Sequence, residues 1–493
     1  MRRWCTARRR TGAGRARPPA PGRPAAGTAV RGAAGTAVRA AATTPVRLAA
    51  TVPVRLAVVT VLLATTAALP GKAALAAGEA GEVRAAGVAG VAGAGGMSAG
   101  YAFADGAPRV EGADDTSAAA PLEPGSTYRS SLPAEGTLYY RLDLDAASDA
   151  YVSVTAVPGS GGEVTAVDGV RVSVRDADGA SCSLGSATFG AAHSPRPVTA
   201  WGMREIDPGA SRCQDSGTYY VAVERIRPED SPPDAWDLEL TTATEPRPRR
   251  AGPTEAPGAW DSASPEPLAG APERRAGGSG FARATAVGQG VWQSDIRPGQ
   301  TLYYKVPVDW GRQVSATAEL GGSDDASGYA TAALRLGLHN PVRGEVDDAA
   351  KGYTGRPAAV GLAALPPVAY ANRYAAGRQV GALRFAGDYY LVVHLSAQVA
   401  DDFGDGPFRL TLRVRLRGAA KTGPGYAGEP RPRGVFELSA ADRAVAPPGG
   451  TTRDGAAEGG DPAMRAVAVG GIGTGSLLLA GLAVWTVTAR RRA

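Results

Sequence analysis

The sequence has little of what most enzymes use for chemistry. Its 493 residues include only three cysteines and three histidines, His193, His339 and His394, which are not spaced like metal ligands. The sequence also lacks an H-E-x-x-H motif, a G-x-S-x-G nucleophile elbow and a phosphate-binding P-loop. We therefore predict a protein that is not an enzyme, with no catalytic residue, metal site or cofactor. A serine–histidine–carboxylate site assembled from distant residues stays open as a remote hydrolase alternative.

Aromatic residues are scarce, at 6%, whereas glycine (67) and proline (38) are abundant. Runs of Ala, Gly and Pro bury too little apolar area to offset the conformational entropy lost on folding. We predict disordered linkers at 77–120 and 244–280 and a stalk at 418–463. The folded parts would then be 121–243 and 281–417.

Acidic residues are missing from residues 1–76, which contain 13 of the 53 Lys and Arg residues. Within this segment an uncharged apolar run, 56–69, follows Arg55 and precedes the small-residue triplet A-L-A at 74–76. This order is typical of a secretory signal, so we interpret 1–76 as an N-terminal extension with a signal peptide. Its removal leaves 40 basic against 47 acidic residues, a net charge of −7, which argues against a nucleic-acid partner.

Near the other end, residues 466–489 carry no charge and are followed by the basic tail 490–493. A span of about 20 apolar residues crosses a bilayer, and a basic flank stays cytoplasmic. We predict a single-pass protein of the cell membrane with its bulk outside and its C-terminus in the cytoplasm. Gly471 and Gly475 form a G-x-x-x-G pair that would suit helix pairing, although chance explains it equally well.

A ten-residue phrase occurs twice, as GTLYYRLDLD at 136–145 and QTLYYKVPVD at 300–309. Apolar residues alternate with polar ones in both copies, which is typical of a half-buried β-strand, and Pro307 predicts an edge or a bulge in the second. Short alternating strands recur after each copy and predict two tandem antiparallel β-sandwiches, an all-β fold. The two copies match at an offset of 164, which later becomes 170 and pairs 217–223 with 387–393 and Val198 with Val368.

Once the signal is removed, Cys182 and Cys213 are the remaining cysteines. In an exported protein they have one possible pairing, so we predict a disulfide in the first sandwich. Leu383 stands opposite Cys213 in the second copy, and the bond is therefore not a feature of both domains.

Two acidic turns are an alternative to the prediction that the protein has no metal site. Asp176 and Asp178, and separately Asp401, Asp402 and Asp405, cluster as oxygen ligands of Ca²⁺ would. Asp and Gly also form turns without any metal, and the counterpart of Asp176 in the second copy is Asn340. We favour the turn interpretation.

The strand order resembles the bacterial pre-peptidase C-terminal (PPC) domain. The resemblance rests on the Tyr139-Tyr140 strand, the acidic turn 176–179 and the strand 217–223, with a second set that lacks the acidic turn. It implies jelly-roll-like, non-catalytic sandwich modules that bind Ca²⁺ or a polymer in some members. The layout also resembles single-pass surface proteins of actinobacteria.

We accordingly predict modules on flexible tethers that bind a cell-wall polymer or an envelope protein. The alternative is a structural subunit of an envelope complex.

Overall fold

The structure is a computed structural model that describes residues 100–445, apart from 160, 161, 208, 230, 264, 266, 267 and 324–326. The first part contains the strands β1 (Ala120–Pro121), β2 (Thr127–Leu132), β3 (Thr137–Leu144), β4 (Ser148–Val157), β5 (Gly169–Arg175), β6 (Ser181–Thr188), β7 (Val198–Arg204), β8 (Gly217–Ile226) and β9 (Trp236–Pro246). The second part contains the strands β10 (Glu273–Arg274), β11 (Thr285–Ala286), β12 (Gly290–Ile296), β13 (Thr301–Val308), β14 (Gln313–Leu320), β15 (Ala330–His339), β16 (Glu345–Tyr353), β17 (Ala358–Gly361), β18 (Gly387–Leu395) and β19 (Phe408–Arg417).

Short helices connect some of these strands or follow them. They span Gly190–Ala192, Phe281–Arg283, Tyr370–Tyr374, Arg378–Gly381, Val399–Phe403 and Ala440–Val445. Among the described residues, no helix has both the length and the apolar character needed to span a bilayer. The predicted signal peptide and the predicted span 466–489 lie outside the described residues.

Each repeat folds as a β-sandwich of two sheets. In the first, the sheet orders are β2-β9-β4-β7 and β1-β3-β8-β5-β6; in the second they are β10-β12-β19-β14-β17 and β11-β13-β18-β15-β16. With the two-residue strands β1, β10 and β11 set aside, both sandwiches have the same eight-strand order, which is that of a jelly roll. The expected tandem all-β architecture is confirmed.

The register of the sheets corrects one part of the sequence comparison. Ala156 pairs with Val198 in the first sandwich, and its counterpart Leu320 pairs with Ala358 in the second. The structural partner of Val198 is therefore Ala358, and the predicted match with Val368 is wrong. Val368 instead exchanges backbone hydrogen bonds with Gly311 and Arg312. The segments Pro197-Val198 and Pro367-Val368 are alike in sequence, but Val198 begins β7 whereas Val368 lies outside the strands.

The repeated phrase forms β3 and β13, as its alternation predicts. The side chains of Leu138, Tyr140 and Leu142 are buried in the first core, and apolar side chains at the matching positions fill the second. In the second sandwich β11 pairs with β13 at Tyr304 and Lys305. Pro307 lies beyond that pairing, in agreement with the predicted edge position.

Ordered structure extends beyond the predicted domain bounds. Ala113, placed in a linker by its composition, forms a β-bridge with Tyr139, and the expected linker 244–280 begins inside β9. Tyr426 and Phe436, placed in the stalk, are buried. The average composition of a long segment does not reveal isolated aromatic residues, although each of them buries a large apolar area.

Candidate functional site

The two sandwiches pack against each other, sheet face on sheet face. Strand β4 shows this most clearly, because its eight central residues are buried on both sides of the sheet. One side faces the core of the first sandwich; the other, with Tyr151, faces the second sandwich. Tyr151 meets Phe385 edge-on with ring centroids 5.0 Å apart. The flexible tethers predicted around the modules therefore do not keep the two sandwiches apart within residues 100–445.

A small apolar cluster lies between the sandwiches. Phe385 stacks on Phe436 at a centroid distance of 4.7 Å, and Tyr426 lies 6.3 Å from Phe436. Ala243 and Val342 complete the buried cluster from the two sides. The segment after β19 thus binds to both sandwiches and closes one side of the interface.

Buried ion pairs flank this cluster. Arg373 lies 2.8 Å from Asp149 and 2.7 Å from Glu245, and all three side chains are at most 10% exposed. Glu245 also accepts hydrogen bonds from the hydroxyls of Tyr151 at 2.9 Å and Tyr426 at 2.8 Å. Burial raises the pKa of Glu245, while Arg373 acts in the opposite direction. The carboxylates of Asp149 and Glu245 thus accept from two N–H groups of Arg373 and from two tyrosine hydroxyls, which makes the site a connected polar network.

Further pairs follow the same division of charge. Arg343 binds Glu239, which also accepts from the Tyr101 hydroxyl at 2.9 Å, and Arg384 binds Glu205. In these pairs the carboxylate comes from the first sandwich and the guanidinium from the second. Unlike charges placed in this way favour one docking of the two faces over others.

A serine–histidine pair also crosses the interface. The Ser194 hydroxyl lies 2.9 Å from Nε2 of His394, and Nδ1 of His394 lies 2.9 Å from the Thr301 hydroxyl. Ser194 is fully buried and also accepts from the Ala397 amide. Burial, with Arg196 nearby, lowers the pKa of His394 well below its ordinary value. An inaccessible serine beside a weak base oriented by a hydroxyl is a poor arrangement for nucleophilic catalysis.

Two cavities lie side by side between the sandwiches and share Arg196, Pro197 and Tyr303. The smaller, of about 190 Å³, is polar and contains the Arg335–Asp348 ion pair. The larger, of about 380 Å³, is mainly apolar, with prolines at several points of its wall. Among the described residues that line the larger cavity, Arg196 is the charged one. We take this pair of cavities, the interdomain cleft, as the candidate site.

Two of the three histidines considered in the sequence analysis lie in this cleft. His339 and His394 line the smaller cavity, whereas His193 is exposed. Cys182 and Cys213 form the predicted disulfide, with 5.8 Å between their Cα atoms.

The acidic turns have structural partners. Asp176 accepts from the amides of Asp178 and Ala180, and Asp402 accepts from that of Tyr329. Within the described residues, no group of three or more His, Cys, Asp or Glu side chains is arranged to hold a metal.

Sequence reasoning did not identify Arg196, Glu239 or Glu245. Glu239 and Glu245 lie on the face of β9 opposite the core residues Leu238 and Leu240, and periodicity alone does not show that a second sandwich buries this face. One signal was present: the alternation of the repeated phrase turns the first tyrosine of each pair, Tyr139 and Tyr303, outward, where it can cover the sheet or a partner. Tyr303 is buried at the interface, whereas its counterpart Tyr139 is partly exposed.

No family model matches the chain and no curated protein matches it, so the PPC resemblance stays a prediction. Similar solved structures include the CUB1-EGF-CUB2 region of human MASP-1/3, at 8% identity and a TM-score of 0.15, over 59% of this chain and 99% of that one. The tandem CBM51 modules of a family 98 glycoside hydrolase from Streptococcus pneumoniae align at 8% identity and 0.16, over 60% and 84%. The tandem CBM22 modules of Paenibacillus barcinonensis Xyn10C align at 11% and 0.15, over 58% and 84%. All three contain tandem modules, and TM-scores this low carry no argument about function.

Proposed function

We propose that this chain is a non-enzymatic, membrane-anchored extracellular protein that binds a cell-wall polymer in the cleft between its two sandwiches. The observation that carries this proposal is the larger cavity, which is built by both sandwiches and has mainly apolar walls around one arginine. A concave site with apolar walls and few polar groups is the usual form of a ligand pocket. The ion pairs on the two faces hold its walls in place, which reduces the entropy lost on binding.

The non-enzymatic part of the proposal is supported by Ser194 and His394. Their side chains are within hydrogen-bond distance, as in a catalytic pair, but Ser194 is not among the residues that line either cavity. The membrane anchor and the extracellular location are proposed from the sequence alone. Binding to an envelope protein, or service as a structural subunit of an envelope complex, is the alternative that the same experiment addresses.

The test is a pelleting assay with the full chain, purified in a mild detergent, and isolated actinobacterial cell wall. We expect the protein to pellet with the wall and to remain in solution without it. Parallel samples with Ca²⁺ and with EDTA test the acidic-turn alternative, because loss of pelleting in EDTA would indicate a metal requirement. A chain that stays in solution in both samples would contradict binding to the cell wall. Cross-linking in intact membranes would then be used to look for a protein partner.

A substitution at Gly344 should change the packing of the two sandwiches without altering a residue that lines the cleft. A Cβ on Gly344 would come within 2.5 Å of the Trp201 ring, which belongs to the other sandwich. We expect Gly344→Leu to weaken pelleting because it forces the two faces apart. Gly377→Leu is the matched control, because nothing lies within 4 Å of a Cβ there. Equal pelleting by both variants would show that the wall binds away from the cleft.

A further inference from the structure

Arg196 is a buried cation without a carboxylate partner. It is 8% exposed, and its guanidinium donates to the carbonyl oxygens of Phe189 at 2.7 Å and Thr188 at 3.1 Å. Among the described residues it takes part in no ion pair within 4.0 Å, whereas Arg343, Arg373 and Arg384 at the interface all do. Since guanidinium carries five N–H groups, three remain after these two bonds. A buried charge left unpaired is costly, so its retention calls for a reason.

The electrostatic surroundings of Arg196 favour an added negative charge. Burial first, and then repulsion from Arg335, lower the pKa of Arg196 to about 9. Glu345 and Asp348 act in the opposite direction, each more weakly than Arg335. Asp348 is already bound to Arg335 at 2.6 Å, and both carboxylates line the smaller cavity but not the larger one. On the side of the larger cavity Arg196 therefore faces no described anion.

Tyr303 adds a second donor at the point where the two cavities meet. Its hydroxyl makes no hydrogen bond to any residue that the structure describes, although its ring is held by Phe281 at 5.0 Å and Tyr101 at 5.8 Å. Burial, followed by the negative charge of Glu239, raises the pKa of Tyr303 well above its ordinary value. The hydroxyl is thus protonated at physiological pH and available as a donor. A planar guanidinium with a neighbouring hydroxyl suits the two oxygens of a carboxylate.

We propose that the larger interdomain cavity binds the carboxylate of a monoanionic ligand through Arg196 and Tyr303, with the body of the ligand against the proline-lined wall. One cation matches one carboxylate, whereas a phosphate dianion would be left half compensated. The cavity, of about 380 Å³, is large enough for a body the size of one sugar or amino-acid unit. This inference rests on the proposed function, since it names the chemical group of the ligand that the cleft takes. Both a sugar acid and a peptide C-terminus carry this group.

Titration calorimetry on the full chain in detergent, at constant ionic strength, tests the proposal with four probes. Glucuronate represents a sugar acid, N-acetyl-alanine a peptide C-terminus, inorganic phosphate a different oxyanion and glucose the neutral body. We expect saturable binding of glucuronate, of N-acetyl-alanine or of both, and neither glucose nor phosphate should bind as tightly. The carboxylate that binds better identifies the source. Absence of carboxylate binding, or equal binding of phosphate or glucose, overturns the proposal.

Variants connect the binding to Arg196. We expect Arg196→Met to weaken carboxylate binding at least about tenfold, because a charge-assisted bidentate contact is lost. Arg274→Met is the matched control, since the Arg274 side chain is 73% exposed and lies outside both cavities. If Arg196→Met does not fold, Arg196→Lys keeps the charge without the planar fork and should lose about fivefold. Unchanged affinity in the folded variant overturns the assignment of the site.

Failure of this inference can be told apart from failure of the proposed function. If the chain pellets with cell wall and Arg196→Met pellets equally, the function stands and the carboxylate site is wrong. If a carboxylate binds at Arg196 while the chain does not pellet with the wall, the site stands and the polymer is wrong. The pelleting assay and the calorimetry use the same protein but measure different quantities, so each can fail without the other.

Discussion

Arg373 and Glu245, which are 128 positions apart in the sequence, form an ion pair of 2.7 Å buried between the two sandwiches. A buried pair costs desolvation, and removal of one partner leaves an uncompensated charge. We therefore predict that Arg373→Met lowers the free energy of unfolding by about 3–5 kcal/mol. Urea unfolding followed by tryptophan fluorescence measures this change.

The matched control for that variant is Arg274→Met. Arg274 pairs with Asp295 at 2.8 Å, but its side chain is 73% exposed, and pairs of this kind contribute at most about 1 kcal/mol. Equal losses in the two variants would contradict a larger cost for removing the buried arginine than for removing the exposed one.

The jelly-roll strands were predictable from the sequence, and the packing between the sandwiches was not. The alternation of Leu138, Tyr140 and Leu142 fixes which face of β3 is inward, because the side-chain period of a strand is two. The same rule places Glu239 and Asp149 on the outward face, and a single sequence does not say whether that face meets water or another sheet. The candidate site could not be predicted from the sequence, because residues of both packed sandwiches form it.

Tight packing between the sandwiches predicts the effect of a small change at Gly344. Gly344→Ala places a methyl group within 2.5 Å of the Trp201 ring, and such overpacking costs about 1–3 kcal/mol. Thermal unfolding of Gly344→Ala and Gly377→Ala measures the difference, because the second methyl group meets open space. If Gly344→Ala is as stable as Gly377→Ala, Trp201 has room to move and the two faces do not pack tightly at this point.

The Cys182–Cys213 disulfide predicts a stability loss confined to one sandwich. The two cysteines are separated by 31 positions, and a loop of this length contributes about 3–4 kcal/mol in the chain-entropy view. We expect the double variant Cys182→Ser/Cys213→Ser to lose this amount in urea unfolding. Hydrogen exchange should become faster in β6 and β8 and change less in β16 and β18. Uniform acceleration across both sandwiches would contradict a local role.

Two buried histidines predict that acid destabilises the fold. Burial lowers the pKa of His339 to about 4, and that of His394 falls well below its ordinary value. The unfolded chain takes up a proton at each near pH 6.5, while the folded chain does not. Stability is therefore lost as pH falls from about 6.5 to about 4, by up to about 1.4 kcal/mol per pH unit for each histidine.

Substitution isolates one of these contributions. His339→Asn should reduce the slope of unfolding free energy against pH by about 1.4 kcal/mol per pH unit in this range. The control is His193→Asn, because His193 is exposed and asparagine tolerates its left-handed backbone, with φ of 46°. Urea unfolding at several pH values gives both slopes. A slope that His339→Asn leaves unchanged would mean that His339 is protonated in the folded state.

The Ser194 hydroxyl and Nε2 of His394 are 2.9 Å apart, a separation that alone would suit a hydrolase. The burial of Ser194 and the low basicity of His394 argue against a hydrolase. Ser194 is fully buried, and the imidazole beside it is a weak base because burial and nearby cations oppose its protonation. We expect a fluorophosphonate probe to leave Ser194 unlabelled in the native chain, as judged by mass spectrometry of the tryptic peptides. Native-state labelling that Ser194→Ala abolishes would instead mean that the sandwiches open to expose a reactive serine, and the non-enzymatic function proposed here would have to be given up.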